Sequence, residues 1–252
     1  PIIGLLAFAN ALVHASVLTP HPAYFSWGIN GAVFLLSLLM VVIGGRVIPL
    51  FTRSGLGVQL KAPMPALDYT AIGSIWLLAL LYLTNTIAYL APSWIAALFV
   101  IASVVNAVRA SRWFHPGVFA MPLVWSLHVA FWFVPLSLLL FALHYLGVDL
   151  SFATALHGLT AGAMGSLILA MIARVSLGHT GRPLKPSSWM AYAFGFIAAA
   201  GLVRLVGGAW PDGVLGAHRY ALPAGLWALA YSIYIVFYHR MLFMPRPDGK
   251  PG

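Results

Sequence analysis

The chain contains no cysteine and no glutamate and only four aspartates, so nine histidines and eight methionines are its nitrogen and sulfur metal donors. Disulfides, thiolate metal sites and iron–sulfur clusters are excluded on that count. Four of the histidines, His14, His128, His144 and His157, fall inside long apolar runs. His21 and His218 lie in loops on one side, and His115 and His239 at the edge of the other, where water solvates an imidazole cheaply. A histidine inside an apolar span has two readings. A neutral ring can hydrogen-bond a neighbouring helix and hold a bundle together. Alternatively it ligates a metal, since imidazole is a usual ligand of haem iron and copper and a helical bundle can clamp a porphyrin. Four such rings in a chain without cysteine or glutamate favour the metal reading for the set.

The stretch from His157 to Arg182 concentrates these features. It reads His-Gly-Leu-Thr-Ala-Gly-Ala-Met-Gly-Ser and continues through Arg174 to Gly178-His179-Thr-Gly-Arg182. Gly158, Gly162 and Gly165 recur about one turn apart, which suits close approach by another helix or by a flat macrocycle. Arg174, and Arg46 in the Gly44-Gly45-Arg46 string, sit at the same membrane level. Arginines there can make bidentate contacts to carboxylates such as haem propionates. They are equally what the charge bias of a membrane protein supplies.

The elements that must position these side chains are transmembrane helices. Of 252 residues, 62% are hydrophobic and 7% charged, and the mean hydropathy is +0.96. A water-soluble domain carries roughly a quarter charged residues. A hydrocarbon core of about 30 Å needs about 20 apolar residues in a helix. The spans expected are Ile2–Leu18, Tyr24–Ile43, Tyr69–Leu90, Trp94–Val108, Pro122–Leu146, Phe152–Val175, Trp189–Val206 and Tyr220–Leu242. Prolines 20, 22, 92 and 211 and the Gly207-Gly208 pair mark breaks between them. The runs are continuously apolar and lack the alternation of a barrel strand.

Threading the chain back and forth puts Arg46, Arg53, Lys61, Arg109, Arg112, Arg174, Arg182, Lys185, Arg240, Arg246 and Lys250 on one side. The other side receives Arg204 and Arg219, with Asp149 and Asp212. The positive-inside rule makes the first side, and the C-terminus, cytoplasmic. Basic residues spread over the turns between spans serve topology, so the net charge of +9 does not mark a nucleic-acid binder. The expectation is an all-α polytopic bundle of about eight helices, with residues 1–252 as a single transmembrane domain. Pro1 opens directly in an apolar run with no charged segment before it, which reads as a chain lacking an N-terminal portion.

Several strings together resemble the NnrS family: Gly44-Gly45-Arg46-Val-Ile-Pro-Leu-Phe-Thr, Pro122-Leu-Val-Trp-Ser-Leu-His128, and His157 through Gly178-His179-Thr-Gly-Arg182-Pro-Leu. Asn10-Ala-Leu-Val-His14 and the tail Pro245-Arg-Pro-Asp-Gly-Lys-Pro-Gly match more weakly or more locally. The resemblance implies a bacterial inner-membrane protein of nitric oxide metabolism or nitrosative-stress resistance, containing haem and copper, with about twelve helices in the whole protein. This chain would then be the C-terminal two-thirds. A family motif of the type Trp-His-Ala-His-Glu-Met has no counterpart here, so further ligands would lie in the absent helices.

On that resemblance His157 is the first axial-ligand candidate, His128 the second and His14 the third, with His179 a metal candidate near the cytoplasmic surface. Arg46, Arg174 and Met164 are the cofactor-binding candidates. The expected cofactor is haem, b-type, with copper second; nitric oxide is the expected small-molecule ligand and the lipid bilayer the constant partner. The alternative is a non-catalytic accessory subunit of a respiratory oxidase or nitric oxide reductase, docking through the small-residue faces at Ala198–Gly201 and Gly158–Gly165. A solute permease is disfavoured, because no internal repeat is visible and charge pairs are lacking within the spans.

Overall fold

The computed structural model describes residues 1–210, 213 and 215–249. Pro211, Asp212 and Lys250, used above as a break and as loop charges, lie outside the described residues. Those described form eight helices and no strand: α1 (Ile2–Leu18), α2 (Ala23–Leu56), α3 (Pro65–Leu83), α4 (Pro92–Ser111), α5 (Pro122–Tyr145), α6 (Phe152–His179), α7 (Trp189–Ala209) and α8 (His218–Phe243). All but α1 are long and apolar enough to cross a membrane. Their starts follow local chemistry. Pro65, Pro92 and Pro122 occupy the first helical positions, where an N–H has no helical partner to lose. Ser151 caps α6, its hydroxyl accepting from the Thr154 N–H at 3.1 Å. Gly57, at φ 66°, ends α2 in the left-handed conformation.

Two elements differ from expectation in an informative way. Helix α2 does not stop near Ile43 but runs for 34 residues, about 51 Å at about 1.5 Å per residue, through Gly44, Gly45 and Pro49. Its last three turns extend beyond the expected span and carry Arg46 and Arg53. The glycines do not break the helix because they are contact points. A Cβ on Gly44 would meet the Phe131 ring at 3.0 Å, and one on Gly45 would collide with the Arg109 guanidinium. Similarly, α7 continues through Gly207-Gly208, where Arg219 and Thr154 come close. The third span, by contrast, divides: α3 ends at Leu83, Asn85 turns the chain at φ 57°, and Thr86–Tyr89 forms a 3-10 turn.

Helix α5 is the centre of the bundle. In its most apolar stretch 67% of residues are buried, against 11% for α8. It packs on α2, α4, α6 and α7, while α1 lies along α2 and α8 along α7. Lipid tails are as apolar as leucine, so these contacts depend on close fit more than on exclusion of water. Gly162 and Gly201 show how. A Cβ on Gly162 would lie 2.5 Å from the Phe133 ring, and one on Gly201 would lie 2.8 Å from the same ring and 2.9 Å from the Gly162 backbone. The two glycines seat Phe133 where α5, α6 and α7 cross. The small-residue face of α6 is therefore filled by α5, with Ser137 against Gly158 and Phe133 against Gly162, and by Trp227 against Gly165.

The alternating threading holds. The Arg246 Nη1–H donates to the His179 carbonyl at 2.9 Å, and the Arg182 Nη1–H reaches the Met241 carbonyl at 3.4 Å, tying the C-terminal ends of α6 and α8 together. On the same face Arg46, Arg53, Lys61, Arg109 and Arg112 gather at the ends of α2 and α4. The chain is a multi-pass helical membrane protein whose basic residues gather at one end of the bundle.

Candidate functional site

The histidines in the spans go to separate places. His14 is exposed on α1. His144 is held near the outer end of α5, its Nδ1 2.7 Å from the Leu150 carbonyl, so it closes the turn into α6. His179 is exposed at the end of α6, and only its backbone carbonyl is engaged, by Arg246. No group of three or more His and Asp side chains is placed to hold a metal among the described residues.

His128 is buried, and its Nε2 lies 2.9 Å from the Thr52 hydroxyl of α2. The Thr52 hydroxyl also donates 2.8 Å to the Ile48 carbonyl, so the pair ties α2 to α5. This geometry is that of a helix-to-helix link. Interhelical hydrogen bonds in membranes contribute about 0.6 kcal/mol on average and up to about 1.7. Thr52→Val is therefore expected to destabilise the bundle by about 1 kcal/mol, measurable by unfolding in detergent, with metal content unchanged.

His157 differs from the others in facing a cavity. One turn into α6, its ring is half-buried and lines a space of about 450 Å³ between α6, α7 and α8, together with Thr160, Ala200, Arg204, Tyr220 and Trp227. The protonation of the ring follows from its partners. Nε2 lies 3.3 Å from the Arg204 Nη2, and a guanidinium only donates, so Nε2 carries the lone pair. Nδ1 then carries the proton and donates 2.5 Å to the Ala153 carbonyl. An imidazole whose Nδ1–H is anchored to a backbone carbonyl and whose Nε2 carries the lone pair is the form in which histidine binds metals; here that lone pair accepts from Arg204 at the wall of the cavity.

Local backbone structure sets this ring in place. Directly after His157 the helix widens into a π-helical stretch, Gly158–Met164, before returning to α geometry. Such wide turns are rare and frequently occur at functional sites. Here Gly158 and Gly162 press against Ser137 and Phe133, while the Tyr231 hydroxyl donates 3.0 Å to the Gly165 carbonyl where the wide segment ends. The stretch is thus gripped from both sides, and His157 sits at its mouth. Across the cavity, the Arg204 guanidinium stacks over the Tyr220 ring at 4.8 Å. Among the described residues no carboxylate pairs with Arg204; its polar contact is to His157.

The other cofactor candidates lie elsewhere. Arg174 is 17 positions beyond His157 on α6, about 25 Å along the axis at about 1.5 Å per residue. It is buried, with its guanidinium carbon 3.7 Å from the centre of the Phe51 ring. Arg46 is exposed at the same basic end. Neither shares a site with His157. Met164 lines a groove of about 240 Å³ between α2 and α6, and Met40 and Met171 line it too.

Arg204, Tyr220 and Trp227 are the residues that sequence reasoning passed over. Arg204 was counted among outer-side topology charges, yet it lies within the seventh span, Trp189–Val206. A charge inside a span was the available signal. Arg109 likewise reads in the sequence as a topology charge. Its Nε–H donates 2.5 Å to Asp68 and its Nη1–H 2.8 Å to the Val41 carbonyl, so a largely buried ion pair joins α2, α3 and α4 at the basic face.

No curated protein sequence and no solved structure matches the chain. The model of the NnrS protein family, however, matches residues 1–246, a stretch that includes the widened turn, the histidine before it and Arg204, and the chain therefore belongs to the NnrS family.

Proposed function

We propose that this protein binds a b-type haem in the cavity between α6, α7 and α8, where His157 Nε2 would hold the iron, and acts on nitric oxide in the bacterial inner membrane. The observation that carries the reading is the state of His157: Nδ1–H anchored on Ala153 and Nε2 unprotonated at the cavity wall, where iron would take the place of the Arg204 guanidinium on its lone pair. The donor set fits the group. One imidazole is available as a protein ligand, the walls contributed by Ala161, Ala200, Pro223, Ala224 and Trp227 are apolar, and an arginine with no carboxylate partner among the described residues stands beside the ligand. In this reading Arg204, and not Arg46 or Arg174, is the partner of a haem propionate, because only Arg204 adjoins His157.

Held by His157, haem would supply an iron able to bind a diatomic gas. The chain's own residues do the rest. Ala153 fixes the orientation and tautomer of the ring. The small side chains of Ala161, Ala200 and Ala224 leave room for a flat group, and Trp227 contributes an apolar wall. An uncharged gas reaches such a site through the bilayer, and no carboxylate base is required. For copper, the donors best suited to a soft cuprous ion are the thioethers of Met40, Met164 and Met171, which line one apolar groove.

Addition of nitric oxide to the dithionite-reduced protein under anaerobic conditions tests the functional reading. The expected result is a saturable shift of the Soret band. A reduced spectrum unchanged by nitric oxide would exclude this ligand.

A further inference from the structure

The basic face holds a second cavity, about 25 Å or more along the helix axes from His157 and independent of the haem reading. It has a volume of about 320 Å³, within the range of small-ligand pockets of about 300–1,000 Å³. Five cationic side chains line it: Arg46 and Arg53 from the overhanging end of α2, Lys61 from the connection to α3, and Arg109 and Arg112 from the end of α4. Asp68, at the start of α3, is the one carboxylate among the lining residues, and it is bonded to Arg109.

The five cations are not equivalent. Arg109 is fully engaged, by Asp68, the Val41 carbonyl and the Trp113 ring at 5.2 Å, and forms the back wall. Arg112 donates 2.7 Å to the Ala62 carbonyl and so holds the connecting loop beside the pocket. Arg46, Arg53 and Lys61 have no hydrogen bond and no ion pair among the described residues. Topology requires basic residues on this side, but it does not require them to converge on one concavity. Elsewhere on the face Arg246 is bonded to Asp248 and the His179 carbonyl, and Arg182 to backbone carbonyls. Like charges brought together around one concavity repel one another, and an anion placed among them relieves that repulsion.

We infer that this pocket between the ends of α2, α3 and α4 binds a phosphate group. Arginine forks match phosphate oxygens in bidentate fashion, and Lys61 adds a mobile point charge at the rim. Two carriers present that chemistry at this level of a membrane: the headgroup of an anionic phospholipid, and a soluble phosphate from the cytoplasm.

Binding to the full chain, purified in a neutral detergent, distinguishes them, with short-chain phosphatidylglycerol, inorganic phosphate and short-chain phosphatidylcholine as probes. Saturable binding of phosphatidylglycerol or of phosphate, with a raised melting temperature, is expected, and none for phosphatidylcholine. The double variant R53Q/K61Q should weaken that binding about tenfold or more, since each charge contributes roughly equally near a surface. R240Q, which removes an exposed arginine from α8 on the same face, should bind like the wild type. Phosphatidylglycerol binding that inorganic phosphate does not displace identifies a lipid site; displacement identifies a site for the phosphate group on either carrier. Failure of both anionic probes to bind overturns the proposal. So does an equal loss in R240Q and R53Q/K61Q, which would reduce the effect to general surface charge.

Discussion

His157→Ala is expected to yield a folded protein that has lost its haem, with affinity reduced by at least about 100-fold. Losing only an outer-shell partner of a metal ligand costs about 10–100-fold, and this substitution removes the ligand itself. The fold should survive. His157 is half-buried, its ring links to α7 through one long contact of 3.3 Å, and the grip of α5 and α8 on the widened turn does not involve it. His14→Ala, His128→Ala and His179→Ala should retain haem, since none of those rings faces the cavity. Absorption spectra and pyridine-haemochrome assays of the four variants provide the comparison. Full haem content in His157→Ala, or its loss in His128→Ala alone, would move the site to another helix. Arg204→Ala should keep the ligand but lower haem retention, because the positive charge beside His157 is removed.

The second large effect is on stability. Asp68→Ala leaves the Arg109 guanidinium, whose side chain is 5% exposed, without its counter-charge between α2, α3 and α4. Removing one partner of a buried ion pair costs about 3–5 kcal/mol. Asp68 itself is 36% exposed and partly screened, so we expect about 2–3 kcal/mol here. The double variant D68A/R109L should lose less than D68A, since no charge is then stranded. Denaturation in detergent, followed by circular dichroism, measures both. A double variant less stable than D68A would mean that Arg109 acts mainly through Val41 and Trp113.

Much of this architecture is legible in the sequence because the bilayer imposes so few solutions. Apolar length marks the helices, and arginine placement marks the sides. α1 and α5 begin where proline or loop residues allow, and α5 ends within a residue of the expected Leu146. What the sequence conceals are contacts that redefine a residue's purpose. Gly44-Gly45 looks like a helix end, yet those glycines admit Phe131 and Arg109, so α2 continues. Gly158, Gly162 and Gly165 suit either a macrocycle or a helix; Ser137, Phe133 and Trp227 occupy that face.

The same holds for the site. His157 stands out in sequence by its depth and by the glycines after it, and those features do precede a widened turn beside a cavity. Its tautomer, though, depends on Ala153 four residues earlier and on Arg204 in another helix. No spacing rule connects Arg204 to His157 across 47 positions. His128 illustrates the converse: it is as deeply placed as a ligand should be, but Thr52 accounts for it.

The most direct test of the central claim is the haem content of the wild-type protein purified from its own membranes, measured by pyridine haemochrome against protein concentration. Stoichiometric b-type haem, with a spectrum indicating an iron bound by a single histidine, is the predicted result. A well-folded, homogeneous protein carrying no porphyrin would contradict it.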